Sequence, residues 1–485
     1  MCRVLSVVLW ALLTVYVRPT VAQNGTHALE LRPCAGAGMT EFRCGMLQVP
    51  ENHEVQGGRL IALNVLVMSA RDGAQRAPLF SLEGGPGMAA TNGVGYFATE
   101  GRMHWQDRDV VLVDQRGTGR SAPLRCPALE ARHRLQRMYP PDAVRACRDA
   151  LAPEHDLTQY TTIAAARDLD AVRQALGYDA IDFMGLSYGT RLAQTYARLY
   201  PQRVRAMVLL GTVPMDRRLP LDHAANGQAV LDAVFADCDA DAACHAAFPE
   251  LRQEWAGILA RLDQSPIQVR FVRDGRDELI DIQRGPFGEA FRSLLLTTSG
   301  QRSVPYLIHQ MASGDFQPFL EPLLAPGASG GIADGLYLSV TCAEDTNRIN
   351  PGEIAKSSEG TFLGRYRGDE QTGACHEWLS ASIPVEQFAP ARLDVPVLLL
   401  AGTMDYVTPL AWATEVASTL PNSRVVPIRH LGHFPIGLSG MDCYDKIIAE
   451  FFQAGSAQSL DLACVGQMAS PPFLVHAPEP SGARK

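Results

Sequence analysis

Three residues far apart in the chain are of the types that act together in acyl transfer: Ser187 in "GLSYG", Asp405 in "TMDYVTP" and His433 in "LGHFP". A serine hydroxyl is a poor nucleophile until a base takes its proton, so a partner base and an acid to orient it are needed downstream. Ser187 follows the apolar run "AIDFM" and precedes a helical run, with Gly185 and Gly189 on either side. A sharp strand-to-helix turn that lifts a nucleophile needs glycines at those two places, because it leaves no room for side chains. A second match to the same spelling, "GASGG" around Ser329, lies in a glycine-rich stretch with no strand before it and reads as loop.

In a strand–turn–helix setting the expected order is serine, acid, histidine. Asp405 stands just past the apolar run "VPVLLLAG", where parallel sheets gather their chemistry. His433 is preferred to His430 as the base, since the preceding Gly432 suits a loop that projects the ring over the sheet edge. The acid would hold the imidazole tautomer and stabilise the imidazolium as it forms. A developing oxyanion needs amide donors. The N–H of Tyr188 and that of Gly85, in "EGGPG", are the candidates. No C-x-x-C or H-E-x-x-H spacing occurs, so no metal is expected, and acyl transfer by these three residues with water requires no cofactor.

The elements that would position these residues are legible as apolar runs ending in turns. Strands are expected at Leu79–Leu82, Val110–Val113 and Ile181–Met184, then at "RVRAMVLLG", "VPVLLLAG" and "SRVVPIRH". Helical spacing puts Ala165, Leu169, Val172 and Leu176 on one face, and a further helix runs from Tyr188 to about Leu199. Near-continuous apolar strands alternating with helices predict a parallel sheet covered on both faces. From about Thr212 to Pro384 the pattern turns mostly helical, which predicts an insertion into one sheet.

The 485 residues carry a net charge of −9 with no basic block, which argues against a nucleic-acid partner. The start, "MCRVLSVVLWALLTVYVRPTVAQ", has a basic end, a short apolar run and small residues at Thr20 and Ala22, the layout of a cleavable secretory leader. Cleavage after Ala22 would leave no stable membrane insertion. It would also leave ten of the 11 cysteines, an even number falling as neighbours along the chain. Connectivity is open from sequence, and local pairing in an oxidising compartment is the simplest arrangement.

The residues "GGPG" (84–87), "DQRGTGRS" (114–121), "GLSYGT" (185–190), "GTMDYVTP" (402–409) and "LGHFP" (431–435) resemble the α/β-hydrolase family of prolyl and tripeptidyl aminopeptidases, in its exported branch. The resemblance runs from about residue 30 to 465 and implies a mostly parallel central sheet flanked by helices, with an inserted helical cap. The parts expected along the chain are a leader over 1–22, a core over 23–211 and 385–470, a cap over 212–384, and a flexible tail over 471–485. It also implies serine-dependent release of residues from peptides with a free N-terminus, the amine being held by acids on the cap side. Glu344 and Asp345 in "SVTCAEDTNR" are offered for that role, with Glu83 as a third. Glu83 is itself a departure, since many members carry histidine there, and it bears on substrate preference. The Arg116 of "DQRGTGRS" is expected to pair with an acid and serve the fold. An esterase with the same three residues and a hydrolase-like binding protein are the competing readings, and the oligomeric state stays open.

Overall fold

Each inner strand sorts its side chains into two apolar cores by simple alternation. Along Val110–Val113, Val111 and Val113 join one cluster while Val110 and Leu112 join another; Val397, Leu399 and Ala401 oppose Leu398 and Leu400 in the same way. Both faces of such a strand must be covered, which is why these runs are continuously apolar. The computed structural model describes residues 29–35, 39, 41–273, 276–325 and 331–477. The leader, Ser329 and residues 478–485 lie outside the described residues.

The strands are β1 (Arg32–Pro33), β2 (Arg43–Pro50), β3 (Leu60–Met68), β4 (Leu79–Leu82), β5 (Val110–Val113), β6 (Ile181–Leu186), β7 (Val204–Leu210), β8 (Ile267–Arg273), β9 (Arg276–Ile282), β10 (Val397–Gly402) and β11 (Ser423–Ile428). Nine form one sheet in the order β1-β2-β3-β5-β4-β6-β7-β10-β11. From β5 to β11 every pairing is parallel, whereas β1, β2 and β3 add an antiparallel edge. The chain therefore leaves the carboxyl ends of β4, β6, β7 and β10 side by side, and Glu83, Ser187, Gly211 and Asp405 all follow those ends.

The helices Thr162–Ala175 and Tyr188–Leu199 cover one face, and Met441–Ala454 covers the other. The expected strands and helices thus stand where the apolar periodicity puts them, with boundaries moved by a few residues.

The segment after β7 builds a third core of its own. Trp255, Phe287, Phe291, Phe319 and Phe362 pack as an aromatic cluster, with Trp255 and Phe291 centroids 4.3 Å apart. It differs from the expected helical insertion in two ways. The hairpin β8–β9 pairs antiparallel over Ile267–Ile282. Helix Asp334–Glu344, moreover, buries Leu336, Leu338 and Val340 against the sheet's own core. The tail also departs from expectation over 471–477: Phe473 is buried in the insertion's core under the guanidinium of Arg302, and the Leu474 amide donates to the Arg302 carbonyl at 3.0 Å. One buried aromatic suffices to anchor a proline-rich stretch.

Five disulfides join neighbouring cysteines: Cys34–Cys44, Cys126–Cys147, Cys238–Cys244, Cys342–Cys375 and Cys443–Cys464. Arg116 is fully buried, donates to both oxygens of Asp168 at 2.7 Å and to the carbonyls of Glu51 and Gln159. It ties the antiparallel edge to helix Thr162–Ala175.

Candidate active site

Ser187 sits between β6 and helix Tyr188–Leu199 with φ 54° and ψ −120°, a conformation that L-residues avoid and that a tight elbow imposes. The glycines are required by contact. A β-carbon at Gly185 would lie 2.7 Å from the Gly189 carbonyl oxygen, and one at Gly189 would collide with the carbonyl of Leu82. The serine's own backbone is clamped: its N–H donates to the Leu210 carbonyl at 2.8 Å, and its carbonyl accepts from Thr190 N and Oγ1 at 2.9 and 2.6 Å.

Asp405 and His433 meet through Oδ2 and Nδ1 at 2.9 Å, both buried. The other Asp405 oxygen accepts the amides of Val407 and Thr408 at 2.8 and 3.0 Å, which fixes the carboxylate plane. The Thr408 hydroxyl donates to Asp405 Oδ2 at 2.5 Å and lies 3.2 Å from His433 Nδ1. Thr408 is a site residue that the sequence reading passed over, although its place three positions after an acid at a strand end is the spacing of a side-chain-capped turn. His430, by contrast, points to Arg302 and Asp237 on the insertion side.

Gly211 joins the parts. It follows Leu210, the acceptor of the Ser187 amide, and a β-carbon there would lie 3.3 Å from His433 Cε1 and 3.4 Å from Asp405 Oδ2. Among the described residues Ser187 Oγ makes no hydrogen bond.

The loop Gly84–Gly87 lies directly on the serine, with a β-carbon at Gly84 only 3.0 Å from Ser187 Cβ, and Gly85 adopts φ 107°. Tyr188 is the first residue of its helix, so its N–H has no intrahelical acceptor. Both amides expected as oxyanion donors are therefore in the loop and turn that flank Ser187.

The three acids offered as amine anchors separate. Glu344 accepts from the Thr162 amide at 2.7 Å and its hydroxyl at 2.6 Å, and Thr162 in turn meets the Tyr188 phenol at 2.8 Å. Asp345 pairs with Arg191 at 2.9 Å, both buried. These two carboxyls brace the helix behind Ser187, Glu344 through both oxygens and Asp345 through Oδ1, and neither lines the cavity beside His433. Glu83 instead lines a cavity of about 190 Å³ together with Phe97, Met184, Leu210, Asp405 and His433. Burial pushes its carboxyl up to about 7, against one opposing hydrogen bond from the Gly84 amide.

A serine on a strained elbow and a bonded aspartate–histidine pair, all following strand ends at the carboxyl edge of one parallel sheet, define a serine hydrolase of the α/β-hydrolase fold. Comparison with known proteins agrees. Residues 80–246 match the family model described as alpha/beta hydrolase fold, and residues 360–464 match that of the TAP-like proteins. The chain thus has the α/β-hydrolase fold, and its C-terminal part is similar to the TAP-like proteins. It is 26% identical to a tripeptidyl aminopeptidase of Streptomyces lividans, over 87% of this chain and 83% of that protein. It is 25% identical to serine protease Hip1 of Mycobacterium tuberculosis, over 87% of each. A proline iminopeptidase of Neisseria meningitidis is 26% identical over 35% of this chain and 40% of its own.

Proposed function

We propose that the chain is an exported serine aminopeptidase that removes single residues or short peptides from free peptide N-termini. The observation that carries this reading is the Asp405–His433 bond beside Gly211, together with Ser187 on its strained turn, whose amide donates to the neighbouring Leu210 carbonyl. In the proposed cycle His433 takes the Ser187 proton as the oxygen attacks the scissile carbonyl. The resulting oxyanion receives the amides of Gly85 and Tyr188, each such donor being worth about 3 kcal/mol of barrier lowering. His433 then hands the proton to the leaving amine, and water repeats the sequence to release the acyl group.

Free-amine selectivity is assigned to Glu83. It is the offered acid that shares a cavity with His433, and an ammonium shielded from water favours a carboxylate partner. The aminopeptidase relatives support peptides as the substrate class. Five disulfides and the leader-like start support export.

The test is a matched pair of chromogenic peptides, one with a free and one with an acetylated N-terminus. Cleavage of the free form alone is expected. Equal cleavage of both would remove the aminopeptidase assignment and leave an esterase or endopeptidase.

A further inference from the structure

The two loops that carry Asp405 and His433 are tied to each other and to one segment of the insertion. The Met404 amide donates to the Leu431 carbonyl at 3.0 Å, and the Phe434 amide donates to the Leu296 carbonyl at 2.9 Å. Thr297 forms a parallel bridge with Phe434, and the Thr298 hydroxyl donates to the His430 carbonyl at 2.9 Å. The insertion therefore runs beside the histidine loop just before it turns into helix Thr298–Ala312.

Gln301 stands in the first turn of that helix and is buried. Its Nε2 donates to the Leu295 carbonyl at 2.8 Å and to the Met404 carbonyl at 2.9 Å. Both partners are carbonyl oxygens, so the side chain can face them only with its NH2 group, and both hydrogens are used. The same nitrogen lies 3.1 Å from the place a β-carbon would take on Gly432, and the Leu296 carbonyl oxygen lies 2.8 Å from it. One side chain thus bonds the residue before Asp405 and stands against the residue before His433.

A second contact holds the same turn. Arg292, at the end of helix Arg284–Arg292, donates to the phenol of the buried Tyr406 at 2.5 Å. Asp405 is flanked on both sides by residues that the insertion holds. The acceptor of Gln301 in this turn is a main-chain atom, so its loss is not relieved by a rotamer change: a buried carbonyl left unpaired either stays unsatisfied or moves the backbone. What the backbone carries here is the 2.9 Å bond between Asp405 and His433, and misplacing reacting groups by ~1 Å costs on the order of 10²-fold in rate.

We propose that Gln301 is a positioning residue for hydrolysis, through which the insertion sets where the Asp405–His433 pair stands. It touches no substrate and takes no proton. Its amide fixes the Met404 carbonyl, and with it the start of the turn 405–408, against the histidine loop. The proposal rests on the reading of Ser187, Asp405 and His433 as the hydrolytic residues of an aminopeptidase, and it gives the insertion a part in the chemical step.

Gln301→Met keeps the length of the side chain and removes both donors. Val304→Ala, a truncation of a buried residue in the same helix, controls for loosened packing. Wild type and both variants are compared on a chromogenic peptide in free-amine and acetylated forms, in the rate of fluorophosphonate labelling, and in the low-field proton NMR signal of His433 Nδ1–H. Gln301→Met is expected to lower kcat and the labelling rate by about tenfold to a hundredfold, with KM within about twofold of wild type. Its Nδ1–H signal should shift or broaden. Val304→Ala is expected to lose thermal stability and to keep kcat, labelling rate and signal. Should Gln301→Met not fold, Gln301→Asn, which keeps the donors one methylene short of Met404, is expected to show the same loss of kcat in folded protein. Wild-type kcat and signal in a folded Gln301 variant, or equal losses of kcat in Gln301→Met and Val304→Ala, would overturn the proposal. A wild type that cuts only the acetylated peptide fails the aminopeptidase reading alone, because the labelling rates still test Gln301. A wild type inert to the probe fails the assignment of the three hydrolytic residues, and the proposal falls with it.

Discussion

His433 is held by Asp405 across 2.9 Å, and the carboxylate that holds it is itself held by two backbone amides and one hydroxyl. The ring's orientation is thus set by a turn, 405–408, rather than by one flexible side chain. Asp405→Asn keeps an acceptor oxygen for the two amides but offers the ring an NH2 group in place of the second oxygen. The turn is expected to survive while kcat falls by about 10⁴-fold, as the wrong tautomer does elsewhere. Steady-state kinetics with an unchanged circular-dichroism spectrum would be the supporting result.

Thr408 positions Asp405 rather than touching substrate. Thr408→Val removes the hydroxyl at constant shape, and kcat is expected to drop about tenfold, with KM unmoved, for the loss of one hydrogen bond to a charged group. Thr408→Ser should restore most of the rate. A purely structural role would instead lower thermal stability in both variants and leave the kcat of the folded fraction unchanged.

Glu83 carries a prediction in pH. Its folded carboxyl is raised to about 7 from the ordinary 4.5 by burial, so the folded state holds the proton more tightly than the unfolded chain does. Stability from this group is therefore present at low pH and is lost as pH climbs through about 7. Glu83→Gln removes that loss. Its melting temperature is expected to exceed wild type's at pH 8 and to match it near pH 5. The same substitution should abolish the preference for a free amine, and for wild type the KM of free-amine peptides should rise as pH falls below about 7. Differential scanning calorimetry and a KM–pH profile check the two halves separately.

Arg191 and Asp345 form a buried pair behind the elbow. Arg191→Met leaves the carboxylate without its cation and is expected to cost about 3–5 kcal/mol, measured by chemical denaturation near neutral pH. The loss should shrink as pH falls and Asp345 takes a proton. Arg191→Met combined with Asp345→Leu should recover much of the stability. An equal loss in single and double variants would show that the Arg191 bond to the Arg217 carbonyl matters more.

Much of this architecture is legible in the residues alone. The parallel strands announce themselves because both faces are buried, as in "VPVLLLAG", and the elbow because Gly185 and Gly189 admit no β-carbon. The pair β2–β3 is harder to read: it lies on the antiparallel edge, outside the strand–helix alternation, and β2 is half exposed. The hairpin β8–β9 has the alternating pattern of "QVRFV" and "ELIDI", but it is short and flanked by long helices that dominate the composition. The fates of Glu344 and Glu83 were not readable at all. Which carboxylate meets Thr162 and which meets a cavity depends on contacts between segments 182 and more residues apart, for Glu344, and on the packing of Phe97 and His433, for Glu83.

The central claim is that the Ser187 hydroxyl is activated by the His433–Asp405 pair. Labelling with a fluorophosphonate probe followed by peptide mass spectrometry tests it most directly. The account predicts one modified site, on the peptide containing Ser187, with labelling abolished in Ser187→Ala and slowed by orders of magnitude in His433→Ala. Labelling at another serine, or undiminished labelling of Ser187→Ala, would contradict it.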